Sequence, residues 1–139
     1  MLNTTVGKIA EMDFAKLCMQ KGLHVSMPID DCSGYDAIVE KDGKLLKVQI
    51  KSTLKESSRR RESTKKVSYK VAVQKGWDGR DSYSEKHFDI LAVYLHALDV
   101  WYFFRFSDLT GTTIRIYPDA KISKFHHHKE NWDILLKNF

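Results

Sequence analysis

The sequence predicts an α/β fold, a mixed β-sheet flanked by helices. Three observations carry that prediction. Residues 4–21 repeat apolar side chains at helical spacing. Two alternating segments meet at Asp42-Gly43, a strong two-residue hairpin signal. Residues 88–95 are almost continuously apolar, as a central strand buried on both faces requires. No internal repeat or compositional break divides the chain, so residues 1–139 read as one domain, long enough for a proper core.

The elements follow in order. In the first helix Val6, Ala10, Phe14, Leu17 and Cys18 form the buried stripe, Thr4 or Thr5 can cap its start, and Gly22 ends it. At 100° per residue, Gly7, Glu11 and Cys18 share one flank of that stripe, which leans Glu11 over the sheet edge. Gly7 permits close approach of backbone or substrate. Residues 23–27 form a first strand stopped by Pro28, and a polar loop over 30–34 leads to the hairpin. In its second strand Leu46, Val48 and Ile50 face the first helix, and Lys47, Gln49 and Lys51 face away. Residues 52–66 lack apolar periodicity and read as a loop or frayed helix. Val67, Tyr69, Val71 and Val73 alternate as a strand, and 74–86 form a second polar loop around Trp77. Strands follow over 88–95, 100–104 and 113–117, and residues 130–138 form a terminal helix with Trp132, Leu135 and Leu136 on one face.

With Asp42 and Gly43 as the turn, Lys41 faces Lys44 and Asp36 faces Gln49. Cross-strand partners bring their β-carbons to about 5 Å. Lys51 points from the same face, two residues beyond Gln49, and Gly34 opposite it leaves open space. A carboxylate, an amide oxygen and an ammonium thus converge, as in a metal site with a cation beside it. Taken alone, Asp36 and Lys51 also fit an ordinary exposed ion pair across two strands.

The pattern Asp36…Gln49-Ile50-Lys51 resembles the PD-(D/E)XK nuclease superfamily, whose signature is an Asp on one strand and acid-x-Lys on the next. Gln49 stands where most members have Asp or Glu. The segment Gly7-Lys8-Ile9-Ala10-Glu11 is similar to the first helix of archaeal Holliday-junction resolvases, which carries a functional Glu matched by Glu11. The run from His87 to Tyr94 and the late Trp132-Asp133-Ile134-Leu135-Leu136 resemble a compact homing-endonuclease subgroup that shares the Gln variant. The resemblance implies a restriction-endonuclease-like core and phosphodiester hydrolysis in DNA, with Glu11, Asp36, Gln49 and Lys51 as catalytic residues. It also implies the backbone carbonyl of Ile50 as a metal ligand beside Asp36, Gln49 and Glu11. Mg²⁺ suits hard oxygen donors of this kind, with Mn²⁺ or another divalent cation as substitute. Lys51 can orient or deprotonate the attacking water, or stabilise charge on the phosphorane. Three functions stay open: a homing endonuclease, a structure-selective junction resolvase, and an inactive DNA-binding module, for which Gln49 is the argument.

Charge agrees with a polyanionic partner. The chain carries a formal net charge of +5. Residues 44–75 hold eleven Lys or Arg against Glu56 and Glu62, a net +9, which leaves −4 for the rest. Arg59, Arg60, Arg61, Lys65 and Lys66 are expected to track the phosphate backbone of double-stranded DNA, and Lys75 and Arg80 to reach base edges. Trp77 can stack on a base or anchor a loop. The run His126-His127-His128 cannot turn three rings to one ion and reads as solvated or phosphate-contacting. One active site cuts one strand, so a double-strand cut calls for a homo-oligomer, a dimer or tetramer. No apolar run approaches a membrane span, no signal-peptide pattern opens the chain, and Cys18 and Cys32 read as a reduced pair. A cytoplasmic protein of bacterial or phage origin is expected.

Overall fold

The computed structural model describes residues 2–30, 34–56, 67–75, 81–119 and 124–137. Helix α1 spans Asn3–Gln20 and buries Val6, Ala10, Phe14 and Cys18, with Leu17 packed at the margin of the core. Its start differs from expectation. Leu2 occupies the N-cap position and no side chain caps it, because the helix begins at Asn3 and places Thr4 and Thr5 inside its first turn. Its end follows the glycine rule: Gly22 takes φ +84°, its N–H reaches Met19 O (3.0 Å), and Leu23 N–H reaches Cys18 O (3.0 Å).

The main sheet has the order β1-β2-β3-β7-β8, with β1 at His24–Ser26, β2 at Ala37–Lys41, β3 at Lys44–Thr53, β7 at Ile90–Leu95 and β8 at Val100–Arg105. β3 and β7 are parallel and the other pairs antiparallel. Asp42 (φ 52°) and Gly43 (φ 79°) both adopt the left-handed conformation that a tight hairpin turn demands. The hairpin register is as expected, from Lys41 opposite Lys44 to Ala37 opposite Val48. Two short pairs lie apart, β4 (Tyr69–Ala72) with β9 (Thr113–Ile116), and β5 (Gln74–Lys75) with β6 (Asp81–Ser82).

Each face of the sheet has its own core. Val48, Ile50, Ile90, Ala92, Trp101 and Phe103 pack against α1 and the short helix α2 (Asp133–Leu136). Leu91, Val93, Leu95, Tyr102 and Phe104 pack against Tyr69, Val71, Ile114 and Ile116 of β4 and β9. Strand β7 is therefore buried on both faces, and the helices share one face.

The terminal helix is shorter than its apolar spacing predicts. Glu130 has φ 50°, donates its N–H to Trp101 O (2.7 Å), and accepts Trp101 N–H (2.8 Å) and Trp132 Nε1–H (2.7 Å) on its carboxylate. The segment is committed to the edge of β8, and helix forms only past it. His128 stacks on Phe104 (4.5 Å) and its Nδ1 lies 2.7 Å from Phe103 O, so this ring is a packing element.

Candidate active site at the open end of the β2–β3 hairpin

The pairing of β2 with β3 stops at Ala37 and Val48, and Asp36 follows directly. Its N–H donates to Val48 O (2.8 Å), which turns the side chain in over β3. Asp36 Oδ2 accepts two hydrogen bonds, from Ile50 N–H (2.8 Å) and Gln49 Nε2 (2.7 Å). Gln49 is buried, one of the few polar side chains among the described residues that is. The sequence argument thus brings Asp36 and Gln49 together correctly, but Gln49 presents its amide nitrogen to the carboxylate. A half-buried carboxylate calls for donors, and the nitrogen supplies one.

Lys51 lies on the Gln49 face and makes no ion pair with Asp36 among the described residues. Its ammonium instead sits 5.7 Å from the centroid of the Tyr83 ring. The ordinary cross-strand ion pair is therefore not what forms. Tyr83 packs edge-on against His87 (5.7 Å) and Phe88 (5.1 Å), and His87 Nδ1 accepts Ser84 N–H (2.8 Å). A β-carbon on Gly34 would lie 2.5 Å from His87 Cβ and Cδ2. The space expected opposite Lys51 is thus filled by the His87 ring, and Gly34 is required for that contact.

Tyr83 and His87 are neighbours that the sequence did not reveal. They enter because parallel pairing of β3 with β7 delivers the segment before β7 to this corner: Asp89 N–H reaches Lys47 O (2.9 Å) and Asp89 Oδ2 accepts Lys47 N–H (2.8 Å). The glycine at position 34 was the one signal that something packs there.

Electrostatics set the groups apart from surface residues. Burial raises the Asp36 carboxyl above its ordinary value, Glu11 adds to that, and Ile50 N–H, Lys51 and Lys8 oppose it. Burial lowers the Lys51 ammonium, partly offset by Asp36. Burial and the Asp36 charge both raise the Tyr83 phenol. Glu11 is half-buried on α1, paired with Lys8 at 2.9 Å, and close enough for its charge to act on Asp36. Among the described residues no three His, Cys, Asp or Glu side chains gather to hold an ion.

The donor set nevertheless fits a hard divalent cation. Asp36 Oδ1 makes no hydrogen bond among the described residues. The Gln49 amide offers Oε1 after a half-turn about its last torsion. Ile50 directs its backbone to this edge, as its N–H bond to Asp36 requires. Arg59, Arg60, Arg61, Lys65, Lys66, Trp77, Arg80 and Cys32 lie outside the described residues. Lys75 is described only by its backbone, in β5 opposite Asp81.

A family model described as PD-(D/E)XK endonuclease matches residues 1–133. No curated protein matches the sequence. Among solved structures, the bacterial homing endonuclease I-Ssp6803I aligns with TM-score 0.80 at 23% identity, over 98% of this chain and 94% of that one. Hjc, a Holliday junction resolvase from the archaeal hyperthermophile Archaeoglobus fulgidus, aligns with TM-score 0.55 at 14% identity, over 96% and 98%. Both likenesses carry the restriction-endonuclease-like fold.

Proposed function

Because this chain belongs to the PD-(D/E)XK endonuclease family, we propose that it is a metal-dependent, site-specific endonuclease of double-stranded DNA, of the homing type, acting as a homo-oligomer. The observation that supports this best is the cluster itself. A half-buried carboxylate, a buried amide and a partly desolvated lysine stand at the open end of one hairpin, where a merely structural ion pair would have closed on itself. The alignment of nearly the whole chain with a homing endonuclease favours that type over the resolvase, whose fold aligns less well.

Asp36, the Gln49 amide oxygen and the Ile50 carbonyl would hold Mg²⁺, with Glu11 acting directly or through water. Bound there, the ion supplies charge neutralisation at the phosphorus and a more acidic water. The chain's own groups do the rest. Ile50 N–H fixes the Asp36 carboxylate while leaving its second oxygen open. Lys51, held over Tyr83 and partly desolvated, orients the attacking water or donates to the developing phosphorane charge. Removing one anionic charge by placing Gln at position 49 weakens the grip on a second ion, so one metal per site is the simpler arrangement. One site per chain cuts one strand, and a two-fold pair addresses both strands of a pseudo-palindromic target.

The test is cleavage of long mixed-sequence duplex, four-way junctions and single strands, with and without Mg²⁺. Discrete duplex fragments that require the ion support the proposal. Cleavage confined to junctions would replace it with the resolvase. Binding without cleavage in any divalent ion would reduce the chain to a DNA-binding module. Lys51→Ala is expected to bind duplex within a few-fold of wild type and to cut at least a hundredfold more slowly.

A further inference from the structure

Backbone direction along β3 exposes a second surface next to the cluster. Lys47 O accepts from Asp89 N–H and Thr53 O from His96 N–H (3.1 Å), so the odd-numbered residues of β3 face β7. Alternation turns the backbone of Ile50 and Ser52 the other way. On that side β2 has already ended opposite Val48, and no described strand pairs with the edge beyond Asp36. The first two turns of α1 run alongside. Between them lies a groove of about 530 Å³, lined by Asn3, Gly7, Lys51, Ser52 and Lys55 among others. That volume lies within the ordinary range for small-ligand sites.

Gly7 is the informative residue. A glycine inside a helix costs roughly 0.8–1.0 kcal/mol relative to alanine. Neither usual reason for it applies. Its φ is not positive, unlike those of Gly22 and Gly43. A β-carbon there would meet nothing within 4 Å, so packing does not demand its absence. What the missing side chain does is widen the groove. The rest of the lining is mixed: Val6, Ile50 and Leu54 are apolar, while two ammonium groups, an amide and two hydroxyls, along an edge that no described strand pairs, suit a phosphate and a sugar.

We propose that this groove is a nucleotide subsite, seating the sugar–phosphate unit next to the scissile phosphodiester, and that Gly7 is kept free of a side chain so that this unit can lie against α1. Lys51 belongs to both the groove and the cluster around Asp36, which makes the two sites consecutive along one strand. The inference rests on the nuclease reading and deepens it.

Thymidine 3′,5′-bisphosphate is the probe, titrated calorimetrically in Ca²⁺ against wild type, Gly7→Ala and Gly7→Leu, with melting curves for each. Alanine is expected to leave the melting temperature equal or higher and to weaken binding a few-fold. Leucine is expected to weaken it at least tenfold and to raise KM for plasmid nicking in Mg²⁺ more than it lowers kcat. A folded leucine variant with wild-type affinity and KM would overturn the subsite while leaving the nuclease reading intact, as would wild type failing to bind the probe at millimolar concentration. Wild type that nicks no DNA in any divalent ion would bring down the nuclease reading. The titration then still decides the groove, since affinity that depends on residue 7 upholds it as a nucleotide-binding groove, without a scissile bond beside it, and affinity that does not overturns it.

Discussion

Asp36 stands in surroundings that oppose its own charge. Burial is the largest influence, and its folded pKa lies above the ordinary value of 3.8. A group raised in the folded state favours folding fully below its unfolded pKa, and that advantage is lost as pH rises through the folded value. At neutral pH without metal, ionised Asp36 is therefore a cost to the fold. Asp36→Asn should melt higher than wild type at pH 7 in EDTA, and the difference should vanish as pH falls below the aspartate range. The same variant should cut DNA about a hundredfold more slowly or worse, since it removes the central anionic ligand. A lower melting temperature would show that the carboxylate is structural. Gln49 makes a second case. Its Nε2 donates to Asp36 at 2.7 Å, and an amide turned to present its oxygen to an ion shared with Asp36 gives that bond up. Gln49→Glu removes the donor and adds a charge, so Mg²⁺ affinity by calorimetry should rise about tenfold, with protons released on binding at mildly acid pH. Unchanged or weaker affinity would show that residue 49 is not a ligand. The identities of Asp36, Gln49 and Lys51 were legible in the sequence because they sit on one hairpin, where register is local. Tyr83 and His87 were not, because a long stretch of chain and a parallel pairing, from the end of β3 at Thr53 to β7 at Ile90, separate them from the strand they join.

Among elements, the hairpin turn positions the site. Five residue pairs from Lys41–Lys44 to Ala37–Val48 transmit the geometry of Asp42 and Gly43 to Asp36 and Gln49. A slip of one residue would turn Val48 and Ile50 away from α1, so the core enforces the register as firmly as the turn does. Gly43 has φ 79°, and a β-carbon in the left-handed region costs roughly 1–2 kcal/mol. Gly43→Ala should lower stability by about that much in urea titrations while retaining cleavage at temperatures where the protein stays folded. Loss of cleavage in the folded variant would mean that the turn also sets the register. Periodic elements such as α1, β3 and β7 were legible because burial writes itself into spacing. The terminal helix was misjudged because its apolar spacing says nothing of Glu130, whose backbone and carboxylate are claimed by β8. The covering of the second sheet face by β4 and β9 was equally hidden, since that pairing joins residues more than forty positions apart.

At the scale of the whole molecule, the asymmetry of charge bears on how DNA is held. Residues 44–75 carry +9 and the remainder −4, so the segment that begins in β3 and leaves the site is also the basic one. Lys51 of that segment stands beside Asp36, so a duplex seated there would meet basic charge. Each phosphate neutralised by a Lys or Arg releases counterions and steepens the salt dependence of binding by about 0.9 in log–log slope. Arg60→Ala and Arg61→Ala should each weaken binding to every sequence alike and flatten the slope by that amount, with the double variant near twice it. Arg80→Ala should behave differently. An arginine reading guanine in the major groove contributes roughly 1–3 kcal/mol of discrimination, so its loss should relax preference at one or two base pairs and leave the slope nearly intact. Affinity measured across a salt series, on specific and mixed-sequence duplexes, separates the two roles. If the Arg60, Arg61 and Arg80 variants all keep wild-type affinity, slope and preference, the basic segment faces solvent, and the DNA must approach over α1 and the open edge of β3 instead.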